Sequence, residues 1–268
     1  MRPWQRAIQY LAMAFAILLV ASIIAGVLGA VSSVFGWIDP EDMVLEEAQT
    51  FDVTGDISSF KLQISAAEVT VTQGEAFSVK SNLKYLKVEN DGGCLEIVET
   101  KKGKTYRGAF CEITIPAGVV FDRADLECGA GRVTIESLSA KDLQVDLGAG
   151  EVLIGYLFAE KEAEIDGGAG KLTVQKGDLH DMVLDMGVGE LILTARLTGN
   201  CEVNCGVGST KLCLLGDSDD YRIDVEKGIG DVSVDGKSLS DGAVWGSGEN
   251  RLELDGGIGS IEVTFAKE

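Results

Sequence analysis

Histidine occurs once in the 268 residues, at His180, and proline only three times. A lone imidazole excludes any metal or catalytic site that needs two, and leaves a Ser-His-Asp or Cys-His arrangement only if His180 itself is suitably placed. Positive charge is also scarce: 23 Lys and Arg stand against 43 Asp and Glu, a formal net charge of -20. Such a chain repels phosphate, which excludes nucleic acid as a partner. Disorder is excluded as well, because 46% of the residues are hydrophobic and 25% charged, within the range of folded proteins. The length admits one large domain or two small ones. What the chain has in excess is glycine, 34 residues, nearly twice the usual ~7%.

Ala7 to Ile38 is a run of 32 residues without a charge. At ~1.5 Å per residue it exceeds the ~30 Å bilayer core and reads as one transmembrane α-helix. Arg2 and Arg6 precede it, while Asp39, Glu41, Asp42, Glu46 and Glu47 follow. The positive-inside rule then puts the N-terminus in the cytoplasm and the rest outside the cell membrane. Trp4 and Trp37 fall at the two expected interfaces. A cleaved signal peptide ending at Ala30-Val31-Ser32 is the rival reading, with an apolar stretch about twice the usual 7–15 residues. The organisation expected is a cytoplasmic segment 1–6, a membrane helix 7–38, a juxtamembrane linker 39–50 and an extracytoplasmic domain 51–268.

The glycines are periodic. CGAGRVTI, LGAGEVLI, GGAGKLTV, MGVGELIL, CGVGSTKL, KGIGDVSV and GGIGSIEV place their first Gly-x-Gly glycines at 129, 148, 168, 187, 206, 228 and 257, mostly 19–20 residues apart. SAAEVTV, from Ser65 to Val71, is a degenerate copy. Apolar residues alternate before each corner (Leu143, Val145, Leu147) and after it (Val152, Ile154), the pattern of β-strands with one buried face. A unit of this size cannot bury that face alone and must stack on its neighbours. The fold expected is all-β: a β-solenoid, or β-helix-like stack, of about 19–20-residue GxG repeats behind one transmembrane helix. The residue between the glycines grows from Ala130, Ala149 and Ala169 through Val188 and Val207 to Ile229 and Ile258. The expectation is that it points inward into a widening corner, and that the last repeat in sequence forms an end of the stack needing a cap. From Glu75 to Asp122 the pattern loosens into strands including CLEIVE and FCEITIP, with Lys101-Lys102-Gly103-Lys104 as a hairpin turn between them.

The segments DDYRIDVEKGIGDVSVDG and GSGENRLELDGGIGSIEVTF, with CEITIPAGV upstream, give the chain from Phe51 to Phe265 a resemblance to the Gram-positive putative adhesin family, also called toastrack domains. The resemblance implies a β-solenoid-like domain outside the membrane, often behind a single N-terminal helix, and an association with cell-envelope stress systems. It implies no catalytic residue.

Seven strand-flanked Gly-x-Gly corners do not read as a phosphate loop, which would be single and lead into a helix. Leu172 and Ile261 stand where the calcium-binding nonapeptide GGxGxD requires Asp. The outward positions are more informative. Two residues before the first corner glycine stand Glu127, Asp146, Asp166, Asp185, Asn204, Glu226 and Asp255. Four before it stand Asp125, Gln144, Glu164, Val183, Glu202, Asp224 and Glu253. Eleven of these fourteen positions are acidic, which defines a candidate binding face. The first outward column after the corner, Arg132, Glu151, Lys171, Glu190, Ser209, Asp231 and Ser260, instead begins with alternating sign.

An acidic face is a solvated, solubilising wall in its plainest reading; in a functional reading it meets a basic protein, a cationic peptide or an envelope component. Carboxylates are ligands for hard cations, so the face admits weak divalent-cation binding, and no resident cofactor is expected. Cys128, Cys201 and Cys205 fall in inward columns, Cys201 and Cys205 are too far apart to bridge, and Cys94 and Cys111 flank the expected hairpin, where a favourable register would pair them. His180 reads as a solvated loop residue. The leading function is a non-enzymatic, membrane-anchored binding module. A surface adhesin is the alternative, followed by a β-helix polysaccharide-active enzyme, for which a compact Lys, Arg, Tyr or His cluster breaking the repeat is missing.

Overall fold

A computed structural model describes residues 45–101 and 108–267. The expected membrane helix 7–38 and most of the Lys101–Lys104 turn lie outside the described residues. No helix among the described residues is long and apolar enough to cross a membrane.

Strand order follows from the stacking requirement. The chain forms β1 (Gln49–Asp52), β2 (Ser59–Gly74), β3 (Ser78–Ser81), β4 (Leu86–Asp91), β5 (Cys94–Glu99) and β6 (Phe110–Pro116), and then the long β7 (Phe121–His180). The latter winds through three repeats without interruption. Next come β8 (Met182–Thr198), β9 (Asn200–Leu215), a 3₁₀ turn (Ser218–Asp220), β10 (Tyr221–Val234), β11 (Lys237–Leu239), β12 (Val244–Gly246) and β13 (Asn250–Ala266). Parallel pairing carries β2 onto β7, β7 onto β8 and β8 onto β9. Apolar positions such as Leu143, Val145, Val152, Ile154, Leu157 and Ala159 point inward into one continuous core. The β-solenoid read from the sequence is therefore the architecture of the described residues, 45–101 and 108–267.

Four expectations are corrected. First, the repeat that is last in sequence is not at an end: β13 lies between β9 and β10, parallel to both. The end of the stack is β10, whose outer edge is met antiparallel by β11 at Val232–Val234 and by β12 at Arg222–Asp224.

Second, the residue between the corner glycines points outward. Ile258 is 37% and Ile229 64% exposed. Inward positions fall on Val145 before the corner and Val152 after it, an odd number of residues apart, so the pleat reverses at the corner. The apex residue is left on the convex side. The second glycine makes this reversal at φ of +147° in both Gly150 and Gly208, a conformation that side-chain-bearing residues rarely adopt. A Cβ on Gly150 or Gly208 would also strike the carbonyl oxygen of Gly131 or Gly189 in the preceding turn.

Third, CLEIVE and FCEITIP form no hairpin. β5 pairs with Ser59–Gln63 and β6 with Glu68–Gly74, both parallel to β2, so together they make the turn before it. The hairpin is between β4 and β5, through Gly92 and Gly93 at φ of +61° and +91°. The interrupted corner of the β5–β6 turn explains the degenerate repeat. Ala66 and Ala67 occupy the positions of Ala130 and Gly131, at the point where the turn below them is interrupted between β5 and β6. The buried Glu99 carboxylate accepts the Ser65 N–H there, at 2.8 Å.

Fourth, Cys94 and Cys111 do not pair. They lie opposite Ser59 and Val69, ten residues apart along β2, far beyond disulfide reach. All six cysteines are free.

Counting β5–β6 as one turn, nine parallel turns are stacked among the described residues, which at ~4.8 Å per step extend about 38 Å. At the far end β4 covers β5, and β3 covers β6 with β1 beyond it. The described chain enters at this end, where the Glu46 N–H bonds the Asn82 carbonyl.

Candidate functional site

The outward columns before the corner come together as continuous ladders. Asp166 lies opposite Asp185, Asp185 opposite Asn204, Asn204 opposite Asp255 and Asp255 opposite Glu226. In the second column Glu164 meets Val183, then Glu202, Glu253 and Asp224. Spatial order thus differs from sequence order, because Glu253 and Asp255 precede Asp224 and Glu226. Asp125 and Glu127 lie opposite Lys61 and Gln63 of β2, one turn earlier.

Amides interleave the carboxylates and relieve part of their repulsion. The Asn204 side chain donates to Asp185 Oδ1 at 2.7 Å and to Glu202 Oε1 at 2.8 Å. Gln63 donates to Glu127 Oε2 at 2.8 Å. Gln144 accepts from Arg123 at 2.7 Å and donates to Asp146 at 3.4 Å. Where two carboxyls meet directly, the electrostatics change: partial burial pushes the Asp146 carboxyl up, its hydrogen bond and charge interaction with Asp166 push it further, and the Gln144 amide offsets only part of this.

Asp224 is the opposite case. Arg222 Nη2 donates to its Oδ1 at 2.8 Å and Arg251 Nε to its Oδ2 at 3.0 Å. The Arg222 hydrogen bond, with the charges of both guanidiniums, holds its carboxyl below the usual carboxylate range. The two arginines, themselves neighbours in register, cover the side chain to 18% exposure. Asp224 is a neutralised member of the face. The signal for this was the arginine at the same offset in the last two repeats, legible only once β13 is placed beside β10.

Asp166, Asp185, Asn204 and Asp255 rim an open groove of about 580 Å³ whose floor is made by Gly168, Gly187, Gly206 and Gly257. Two smaller recesses at the corner hold about 20 Å³ each, room for hardly more than one water. Of these three spaces, the outer groove alone has room for more than a water. On the other side of the corner Arg132 pairs with Glu151 at 3.3 Å and Lys171 with Glu190 at 2.9 Å.

Among the described residues no three His, Cys, Asp or Glu side chains converge to hold a metal ion. The carboxylates point outward from successive turns, whereas a hard cation asks for six or more oxygens wrapped around one point. His180 is half-buried rather than free in a loop: its Nδ1 lies 3.0 Å from Thr198 Oγ1 and its Nε2 3.4 Å from Asp181 Oδ2. Asp181, at φ +43°, also accepts the Asn200 N–H at 2.8 Å. This group joins the turns on either side of β8, and none of its members lines the groove.

Fold and groove define the class: a parallel β-solenoid with capped ends and a carboxylate-rimmed corner. No family model and no curated protein sequence matches the chain. Solved structures similar to it include a putative adhesin from Bacteroides fragilis, 16% identical over 81% of this chain and 96% of that one, TM-score 0.42. A putative cell adhesion protein from Clostridium sporogenes is 15% identical over 82% and 99%, TM-score 0.36. A putative adhesin from Parabacteroides distasonis is 14% identical over 82% and 96%, TM-score 0.43. These sources are not confined to Gram-positive bacteria.

Proposed function

We propose that this protein is a non-enzymatic binding module, tethered outside the cell membrane by its N-terminal segment, whose acidic corner groove receives a cationic partner. The partner is a basic protein, a cationic peptide or another positively charged envelope component. The observation that carries the reading is the groove itself. Asp166, Asp185 and Asp255 share one rim with a single amide between them, and no Lys or Arg stands in their column. Like charges in register on paired strands cost stability, of order a few tenths of a kcal/mol per pair, and a counter-charged ligand removes that cost. A place in envelope stress sensing accords with the toastrack resemblance. A reach of about 38 Å favours contact near the membrane over adhesion to a distant surface.

The test is calorimetric titration of the full-length chain in detergent with oligolysine. The expected result is binding at low ionic strength that weakens as salt is raised; no heat at either salt removes the reading. Protease added to intact cells should digest the domain after residue 45, and protection of that domain would overturn the location.

A further inference from the structure

Two features run along the corner toward the same end. One is apolar. Through the register of the strands, Ala169 is followed by Val188, Val207, Ile258 and Ile229, in that spatial order. The apex side chain thus grows steadily toward β10, although it faces outward. Three of the five exposed large hydrophobic residues among those described, Ile229, Val244 and Ile258, belong to the two strands at this end or to β12 against them.

The other is electrostatic, a loss of Lys and Arg from the two flanking columns and not a steady rise in charge. In the early turns the corner carries Arg132 and Lys171, each paired with a glutamate. From β8 onward the ridge is flanked by Asp185, Asn204, Asp255 and Glu226 on one side and by Glu190, Ser209, Ser260 and Asp231 on the other. Neither flank contains a Lys or Arg. Lys171, at 2.9 Å from Glu190, and Lys227, at 3.7 Å from Asp231, stand beside the second flank, so the carboxylates of the first flank are the less compensated. Lys227–Asp231 has no strand paired along its outer edge among the described residues, because β11 and β12 meet β10 only to either side.

We infer that the Val188–Val207–Ile258–Ile229 ridge seats an amphipathic α-helix of a cationic partner, its apolar stripe on the ridge and its Lys or Arg side chains over the flanking carboxylates. This rests on the cation-binding reading above and adds the apolar seat and the shape of the ligand. A second copy of the chain is disfavoured as occupant, since it would bring another net charge of -20 to a face that is already negative.

The spacing decides between conformations. Ridge positions repeat every ~4.8 Å along the stack. A helix lying along that direction repeats its apolar stripe every ~5.4 Å, a slip of about 0.6 Å per turn. An extended strand repeats one face every ~6.7 Å and loses register after about two turns. PPII, at ~9.3 Å per three-residue turn, touches only alternate positions. Four ridge residues span about 14 Å, matched by a helical segment of about ten residues.

The experiment compares two probes on the full-length chain in detergent. One is an amphipathic Leu/Lys helix peptide of about 14 residues with leucines at helical spacing; the other is an oligolysine of equal charge. The amphipathic peptide should bind at least tenfold more tightly and show helical circular dichroism when bound. The pair Ile229→Ser and Ile258→Ser, both at outward positions, should remove that advantage and leave oligolysine unchanged. Leu153→Ser, an exposed apolar residue on the wall after the corner, should change neither, and Asp255→Asn with Glu226→Gln should weaken both. Melting temperatures verify that each variant is folded.

If oligolysine binds as tightly as the amphipathic peptide and the serine pair has no effect, the ridge is not the seat, although the acidic reading survives. Binding without induced helix overturns the helical geometry. If neither probe binds at low salt, both readings fall.

Discussion

The carbonyl oxygen of Gly189 occupies the space that a Cβ on Gly208 would need. The same relation links the second corner glycine of each turn with its neighbour, as in Gly150 on Gly131 and Gly170 on Gly150. Corner glycines are therefore fixed by the stacking of identical turns, and not only by the bend.

Gly208→Ala should cost more than ~3 kcal/mol, because it combines a steric clash with the backbone and a strained φ. Gly236, at φ +73° with open space around it, supplies the comparison. Its alanine variant carries the conformational penalty alone, about 1–2 kcal/mol. Urea unfolding of both variants measures the difference; equal losses would show that the carbonyl column imposes no constraint.

Asp146 predicts a pH effect of unusual sign. Its carboxyl is raised in the folded state by partial burial and by Asp166, so its favourable contribution is present when it is protonated. That contribution is lost as pH rises through the folded pKa. Asp146→Asn should therefore melt above the wild type at pH 7, with the gap closing below about pH 4, the ordinary aspartate range. A variant that melts lower at neutral pH would contradict the Asp146–Asp166 interaction.

Asp224 should behave the other way. Its carboxyl is lowered by Arg222 and Arg251, so its contribution is present at neutral pH and is lost as pH falls through the folded pKa. Asp224→Asn leaves two arginines side by side and should destabilise at pH 7 by about 1 kcal/mol or less, given the exposure of the guanidiniums. The loss should grow as salt is lowered. An unchanged melting temperature at low salt would show that the arginines already find other partners.

Burial pushes the thiols of Cys111 and Cys128 up to about 12 and that of Cys201 up to about 11. A thiol in that range is almost wholly protonated at pH 8 and reacts slowly. Alkylation with iodoacetamide should leave these three unmodified in the native protein and modify all six cysteines after denaturation. Non-reducing electrophoresis should show no intramolecular disulfide. Rapid native labelling of Cys128 would place it outside the core.

Repeat length, the corners, the all-β class and the inward columns were legible because period-two burial leaves a signature in every repeat. The acidic ladders were legible for the same reason: residues at equal offsets in a stacked repeat become neighbours. Sequence order misled where stacking order departs from it, since nothing local to Asn250–Ala266 records that this strand enters between β9 and β10. The outward turn of Ile229 and Ile258 was missed because their size suggested a core, whereas the pleat reversal at the second glycine sets their direction. Neutralisation of Asp224 was hidden similarly, since one of its two guanidiniums comes from a residue 27 positions away.

The insertion of β13 has a consequence for how the molecule is made. β10 is synthesised before its parallel neighbour exists, and until β13 arrives no strand stands between it and β9. The 17 residues of β13 act as a keystone, completing both flanking turns in one step. Sequential zippering along the repeats thus cannot finish the stack, and the final closure joins elements that wait for each other. A chain lacking β13 would be a solenoid split before its terminal turn, with the apolar faces of β9 and β10 open to water.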